Sequence, residues 1–211
     1  LSTQKTEVIT CKDDQVLRPI GFIEKDFIYG VGNKKEVVQH FYHKDTSVPI
    51  WAIFEVLTLG EFGNFYSCLS YGVRREVSIK LGFHQPSDSD AFLTKKIIFA
   101  IKELRNAVAH NDVIFDTRFS RSSIDKSLSS SLEIVTGIKS ITFKSITDYI
   151  ILVVYLLKCF GVPKGDMRRF VAEFQDNIET LRKQIPTSLF ARIVLTDTRP
   201  KLKSLQEYIR K

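Results

Sequence analysis

The stretch Leu93-Thr-Lys-Lys-Ile-Ile-Phe-Ala-Ile-Lys-Glu-Leu-Arg-Asn-Ala-Val-Ala-His110 places its apolar residues three and four apart, and that spacing decides the fold class. At about 100° per residue, Ile97, Ile101, Leu104 and Val108 fall within a stripe about 60° wide, which must face the protein's own core. Asn106 and His110 lie on nearly the opposite side, with Arg105 on the flank and Phe99 beside the polar pair. The helix is expected over about Asp90–His110, and the Ser and Asp residues of the turn His84-Gln-Pro-Ser-Asp-Ser-Asp90 are natural caps for it.

The same period recurs on either side. Pro49 opens a mostly buried helix carrying Trp51, Ile53, Phe54, Val56, Leu57 and Leu59, which Gly60 is expected to end. A second stretch, Glu61 to Leu81, has a broad apolar face from Phe62, Phe65, Tyr66, Leu69, Tyr71 and Val73. Lys34–His43 reads as a short helix. Downstream, helices are expected at Ser145–Phe160 and Gly165–Gln184, separated by Gly161-Val-Pro163, and a last amphipathic piece spans Pro200–Arg210. The Ser-rich stretch Ser120–Ser131 reads as an exposed connection. Residues 1–33 show no sustained period and are expected to be an irregular N-terminal segment ahead of a helical domain at 34–211. With no repeat, glycine-rich phosphate loop or alternating strand series, the economical architecture is an all-α bundle.

The 211 residues, 44% of them hydrophobic and 26% charged, suit one globular domain and exclude general disorder. Cys11, Cys68 and Cys159 form no Cys-x-x-Cys pair, so neither a disulfide framework nor a structural zinc site has support, and a reducing cytoplasm is expected. The longest apolar run, Tyr149 to Leu157, is too short to span a bilayer and reads as a buried core helix. No signal-peptide pattern opens the chain; the first residue is Leu, so an N-terminal part is expected to be cut away. The net charge of +7 is uneven: residues 1–90 hold 10 basic and 12 acidic side chains, and residues 91–211 hold 21 and 12. Such a basic half attracts an acidic partner such as RNA, and serves solubility equally well.

Arg105 and His110 are separated by four residues at the end of the expected helix. Twelve Arg and four His in this chain give about 0.2 such spacings by chance, so the bare pattern carries little. It fits a helix end at which His110 meets the last carbonyls and Arg105 pairs with Glu103 or Asp112. It also fits chemistry on phosphate. A histidine with an ordinary pKa of about 6.5 can move a proton near neutral pH. An arginine fork offers fixed positive charge where a phosphorane gathers negative charge. The exposed Phe99 suits a surface covered by a second copy of the chain.

The stretch Arg105-Asn-Ala-Val-Ala-His110 closing a helix resembles the Arg-x4-His motif of the HEPN superfamily (higher eukaryotes and prokaryotes nucleotide-binding). The upstream block Pro49-Ile-Trp-Ala-Ile-Phe-Glu-Val-Leu-Thr-Leu-Gly60, preceded by Val38-Gln-His-Phe41 and followed by Phe65-Tyr66, resembles the Pro-x-Trp…Glu…Gly block of the bacterial abortive-infection Abi-like (AbiD/AbiF) proteins. Together the blocks cover about residues 36–119 in the family's order.

The resemblance implies a HEPN-like helical bundle that dimerises so that two motifs meet at one cleft and cut RNA without a metal or other cofactor. It implies Arg105, Asn106 and His110 as the catalytic residues, with 2′,3′-cyclic phosphate (or 3′-phosphate) and 5′-hydroxyl ends. It further implies an anti-phage or toxin effector restrained by an RNA or protein antitoxin. Glu55, the only charge between Val48 and Gly60, is either a supporting residue or a polar position on the wet side of its helix. Lys95, Lys96, Lys102, Arg118 and Arg121 are candidates to line an RNA path, or are simply solvated. His40 and His43 with Asp45 make a poor metal site for want of a defined third ligand. Two other readings stand beside the nuclease: a catalytically silent RNA-binding or dimerisation module, and a structural helical domain of a larger protein.

Overall fold

A computed structural model describes residues 40–41, 50–83, 85–109, 119 and 124–211. Among the described residues there are nine α-helices and no strand, and the fold is all-α. They fall into two compact units, one up to Ser70 and one from Tyr71 to Lys211. The expected irregular segment 1–33 lies outside the described residues, as does the helix at Lys34–His43 apart from His40 and Phe41, both helical.

The first unit contains α1 (Ile50–Val56) and α2 (Leu59–Cys68). Gly60 does not end the first helix. Thr58 intervenes as the N-cap of α2: its hydroxyl accepts the Glu61 N–H at 3.3 Å while the Glu61 carboxylate accepts the Thr58 N–H at 2.6 Å. This reciprocal box satisfies two orphan donors and absorbs Gly60 into the first turn. Nor is α1 mostly buried. Ala52 is fully enclosed, but Trp51 is 56% and Phe54 42% exposed. Edge-on aromatic contacts, Phe54 with Phe62 and Phe65 and Phe41 with Trp51, hold this unit together. The single helix expected over Glu61–Leu81 is broken after Cys68, where Leu69 turns extended (φ −69°, ψ 148°). In that last turn Ser67 and Cys68 bond back to the carbonyls of Gly63 and Asn64, a local competition that loosens a helix end.

The second unit holds α3 (Tyr71–Lys80), α4 (Leu93–Ala109), α5 (Lys126–Thr136), α6 (Ile146–Cys159), α7 (Lys164–Gln184), α8 (Thr187–Ile193) and α9 (Thr198–Arg210). Its centre is α6, which packs against α4, α5, α7 and α9. The apolar run within it is a core helix: Tyr149, Ile151, Leu152 and Val154 are fully enclosed. Among the described residues no helix is long and apolar enough to cross a membrane. The expected stop at Gly161-Val-Pro163 holds, with Gly161 at φ 72° between α6 and α7.

The Ser120–Ser131 stretch is not a loop throughout, because α5 begins at Lys126. Asp125 caps it by accepting the Ser127 N–H at 2.8 Å, and Leu128 and Leu132, one turn apart, are buried. Gly137, in the left-handed region at φ 74°, closes it.

A buried polar latch, with no counterpart among the sequence expectations, ties the end of the chain to the core. The Asp148 carboxylate accepts the backbone N–H groups of Thr142 (3.0 Å) and Phe143 (2.9 Å) and pairs with Lys201 of α9 at 2.7 Å. Lys201, only 5% exposed, also pairs with Asp197 at 2.7 Å. Burial works against its charge, but these bonds to Asp148 and Asp197 outweigh it and hold the pKa above the ordinary lysine value. Phe143 sits in the left-handed region at φ 56°, a conformation this network helps to impose.

Candidate functional site

The motif helix α4 is fixed first at its start. The Asp88 carboxylate accepts the N–H groups of Phe92 and Leu93 at 3.1 Å, and Asp90 accepts that of Phe92 at 3.1 Å, so the Asp residues of the turn do serve as caps. Ala91, at φ 56°, makes the bend that lets both carboxylates reach. Burial and the neighbouring Asp90 carboxylate raise the Asp88 pKa despite the backbone bonds it accepts. The helix starts at Leu93, three residues later than the expected Asp90.

Its inner face is enclosed along Leu93, Thr94, Ile97, Ala100 and Ala107, and Ile101 and Leu104 pack against that core partly buried. Thr94 and Ser78 share a buried 2.7 Å hydroxyl bond that fastens α3 to α4. Val108, expected in the stripe, is 55% exposed. The buried face is turned toward Ala100 and Ala107, small side chains that a count of large apolar residues does not register.

At the far end Arg105 is exposed and Asn106 half-buried, and the Arg105 Nη1 donates to the Asn106 Oδ1 at 3.0 Å. The guanidinium and the amide are thereby held as one polar group on the side away from the core. His110, Arg118 and Arg121 lie outside the described residues. Glu103 pairs with Lys102 at 3.4 Å. Lys96 turns to the start of α5, 3.4 Å from Asp125 and 2.7 Å from the Ser127 hydroxyl, so its charge serves the packing of α5. Lys95 stands 5.6 Å from the Phe92 ring and 5.9 Å from the Phe99 ring, and Lys102 is 5.5 Å from Phe99. Phe99 itself is half-buried. Glu55 is exposed on α1, in the first unit.

No cluster of His, Cys, Asp and Glu among the described residues could hold a metal ion; His43 and Asp45 are outside them. The residue that sequence reasoning overlooked here is Arg74 of α3, whose guanidinium lies 4.1 Å above the Phe92 ring. It donates to the Asp90 carbonyl at 3.2 Å. No sequence spacing joins positions 74 and 92; only the fold brings them together.

These features define a helical protein with a polar Arg–Asn pair at the exposed end of a core-anchored helix. The sequence pattern that defines the Abi-like protein family matches residues 9–116, just over half of the chain, and so includes α1 to α4 and the Arg105–His110 stretch. The chain belongs to the Abi-like family, the abortive-infection family. Neither curated protein sequences nor solved structures give a match.

Proposed function

We propose that this chain is a metal-independent endoribonuclease of the HEPN type that acts in bacterial abortive infection or toxin–antitoxin defence against phage. The observation that carries the reading is the Arg105–Asn106 pair, hydrogen-bonded at 3.0 Å on the exposed side of α4 within the family-matched residues. In this reading His110, four residues after Asn106 in the sequence, takes the proton from a ribose 2′-hydroxyl or returns one to the departing oxygen. The 2′-oxygen attacks the adjacent phosphorus, the bond to the 5′-oxygen breaks, and the products are a 2′,3′-cyclic phosphate (or its 3′-phosphate) and a 5′-hydroxyl. Arg105 neutralises the charge that gathers on the phosphorane, and Asn106 orients the arginine fork. A homodimer brings two such helix ends together, so that one histidine can act as base and the other as acid. Lys95 and Lys102 hold substrate phosphates, and an RNA or protein antitoxin restrains the enzyme in the cytoplasm of the healthy cell.

The test is RNA cleavage in EDTA by wild type, His110→Ala and Arg105→Ala. Wild type is expected to cut and both variants to be slowed by about 100-fold or more. Equal rates in all three, or no cutting by wild type, overturn the reading. Steeply salt-dependent binding without cleavage instead identifies a silent RNA-binding module.

A further inference from the structure

Along the outer side of α4, cations and aromatic rings alternate. Phe92, just ahead of α4, and Lys95, Phe99, Lys102 and Asn106 on it follow one another at steps of three or four residues, which lines them up along one stripe. Lys95 to Asn106 spans about 16 Å at 1.5 Å per residue. The contacts are mutual rather than a matter of spacing alone. Lys95 lies between the two rings, 5.6 Å from Phe92 and 5.9 Å from Phe99, and Lys102 flanks Phe99 from the other side at 5.5 Å. At the start of the stripe the Arg74 guanidinium stands 4.1 Å over Phe92, held there by two bonds to the Asp90 carbonyl at 3.2 and 3.4 Å.

We propose that this stripe is a binding track for single-stranded RNA that delivers the chain to the Arg105–Asn106 end of the helix. The track deepens the ribonuclease reading and rests on it for its direction. Each half of the recognition chemistry is present. Ammonium groups spaced along a helix suit successive phosphates, and flat groups between them suit unpaired bases, which stack on aromatic rings and on guanidinium planes. A duplex keeps its bases stacked inside and cannot use the flat groups. The sequence pattern gave Phe99 to a contact between two copies. The ammonium groups on either side of it favour a polyanion instead, because a second copy presenting the same face sets like charges against each other. Lys96 does not belong to the track, since both Asp125 and the Ser127 hydroxyl hold it at α5. Lys102 has only a 3.4 Å pair with its chain neighbour Glu103, a surface pair weak enough for a phosphate to displace.

The experiment uses the full chain and a short unstructured oligoribonucleotide carrying 2′-O-methyl groups throughout. This probe lacks the attacking hydroxyl, so binding is read independently of cleavage. Fluorescence anisotropy is followed against salt for wild type, the double variant Phe92→Leu/Phe99→Leu and the double variant Lys95→Gln/Lys102→Gln. The leucines keep apolar bulk, and the glutamines remove only the charge and its surface contacts with Phe92, Phe99 and Glu103, none of them in the core, so at least the second variant retains the fold.

Wild type is expected to bind the single strand at least about tenfold more tightly than the same sequence annealed to its complement. Each double variant is expected to weaken single-strand binding about tenfold or more. The glutamine variant should also lower the slope of log K against log salt by about 1.4, the share of two phosphate contacts. Unchanged affinity in the glutamine variant, duplex bound as tightly as single strand, or a change confined to the oligomeric state of the phenylalanine variant overturns the track. Cleavage of unmodified RNA reports separately: loss of binding without a cleavage-competent wild type keeps the track and defeats the nuclease reading, and intact binding in both variants with a cleaving wild type does the reverse.

Discussion

The helix to which we assign the chemistry, α4, and the helix that carries the core, α6, are neighbours with opposite characters. In α6 nine of fourteen residues are buried, including all of Tyr149–Leu152. In α4 five of seventeen are, and the remainder include three lysines, the half-buried Phe99 ring and the Arg105–Asn106 pair. The family match ends at residue 116, before α5, so the scaffold on which α4 rests, α5 and α6, comes from the part of the chain beyond it. The region that identifies the family and the region that holds the second unit together are therefore different, and substitutions in the two should have separable effects.

The largest effect is expected in the scaffold. Lys201→Met leaves the Asp148 and Asp197 carboxylates without their cation, Asp148 in a fully buried site, and should cost about 3–5 kcal/mol in urea unfolding. The latch also sets an alkaline limit. Because the folded pKa of Lys201 lies above its ordinary 10.5, its contribution is complete below that value and is lost as pH rises through the elevated one. Tyr208, pushed up to about 12 by burial, acts in the same direction, so the fall in stability above pH 10.5 that disappears in Lys201→Met isolates the lysine's share. Equal alkaline profiles for wild type and variant would show the latch to be inert.

Next in size, Arg105→Ala should slow RNA cleavage by about 100- to 1,000-fold while shifting stability by less than about 0.5 kcal/mol. A large stability loss in that variant breaks the division between the two regions. Thr58→Ala removes the capping box of α2 and should cost about 1 kcal/mol, read as a lower unfolding midpoint by circular dichroism. Smallest of all, Ile134→Ala on the outer side of α5, where the side chain is 70% exposed, should change stability by less than about 0.5 kcal/mol. If it costs more, something covers that face.

How much of this was legible beforehand follows from which interactions are local. Periodicity placed α4, α6 and α7 because a large apolar stripe is written in neighbouring residues. It misjudged Val108 because the buried face of α4 is made partly by Ala100 and Ala107, whose importance lies in close packing rather than hydrophobic weight. It ran the first two helices to the wrong ends because Gly60 and the apolar series Phe62–Val73 spoke more loudly than Thr58 and Leu69, whose backbone geometry decides the breaks. Reading Ser120–Ser131 by composition hid Leu128, which one helical turn brings together with Leu132 just beyond the stretch. Of the proposed site, the Arg105–Asn106 pair was legible because the two residues are adjacent on α4, while His110 lies outside the described residues. Arg74 over Phe92 and Lys201 on Asp148 were not, because each joins elements that no sequence interval connects.

The central proposal is that the Arg105-Asn-Ala-Val-Ala-His110 motif cuts RNA through the 2′-hydroxyl. The most direct measurement is the chemistry of both new ends in RNA incubated in EDTA with wild type and with His110→Ala at equal folded concentration. The account predicts 5′-hydroxyl and 2′,3′-cyclic phosphate (or 3′-phosphate) ends from wild type and at least about a 100-fold loss of both from the variant. Ends bearing 5′-phosphate and 3′-hydroxyl, or identical cutting by His110→Ala, would contradict it.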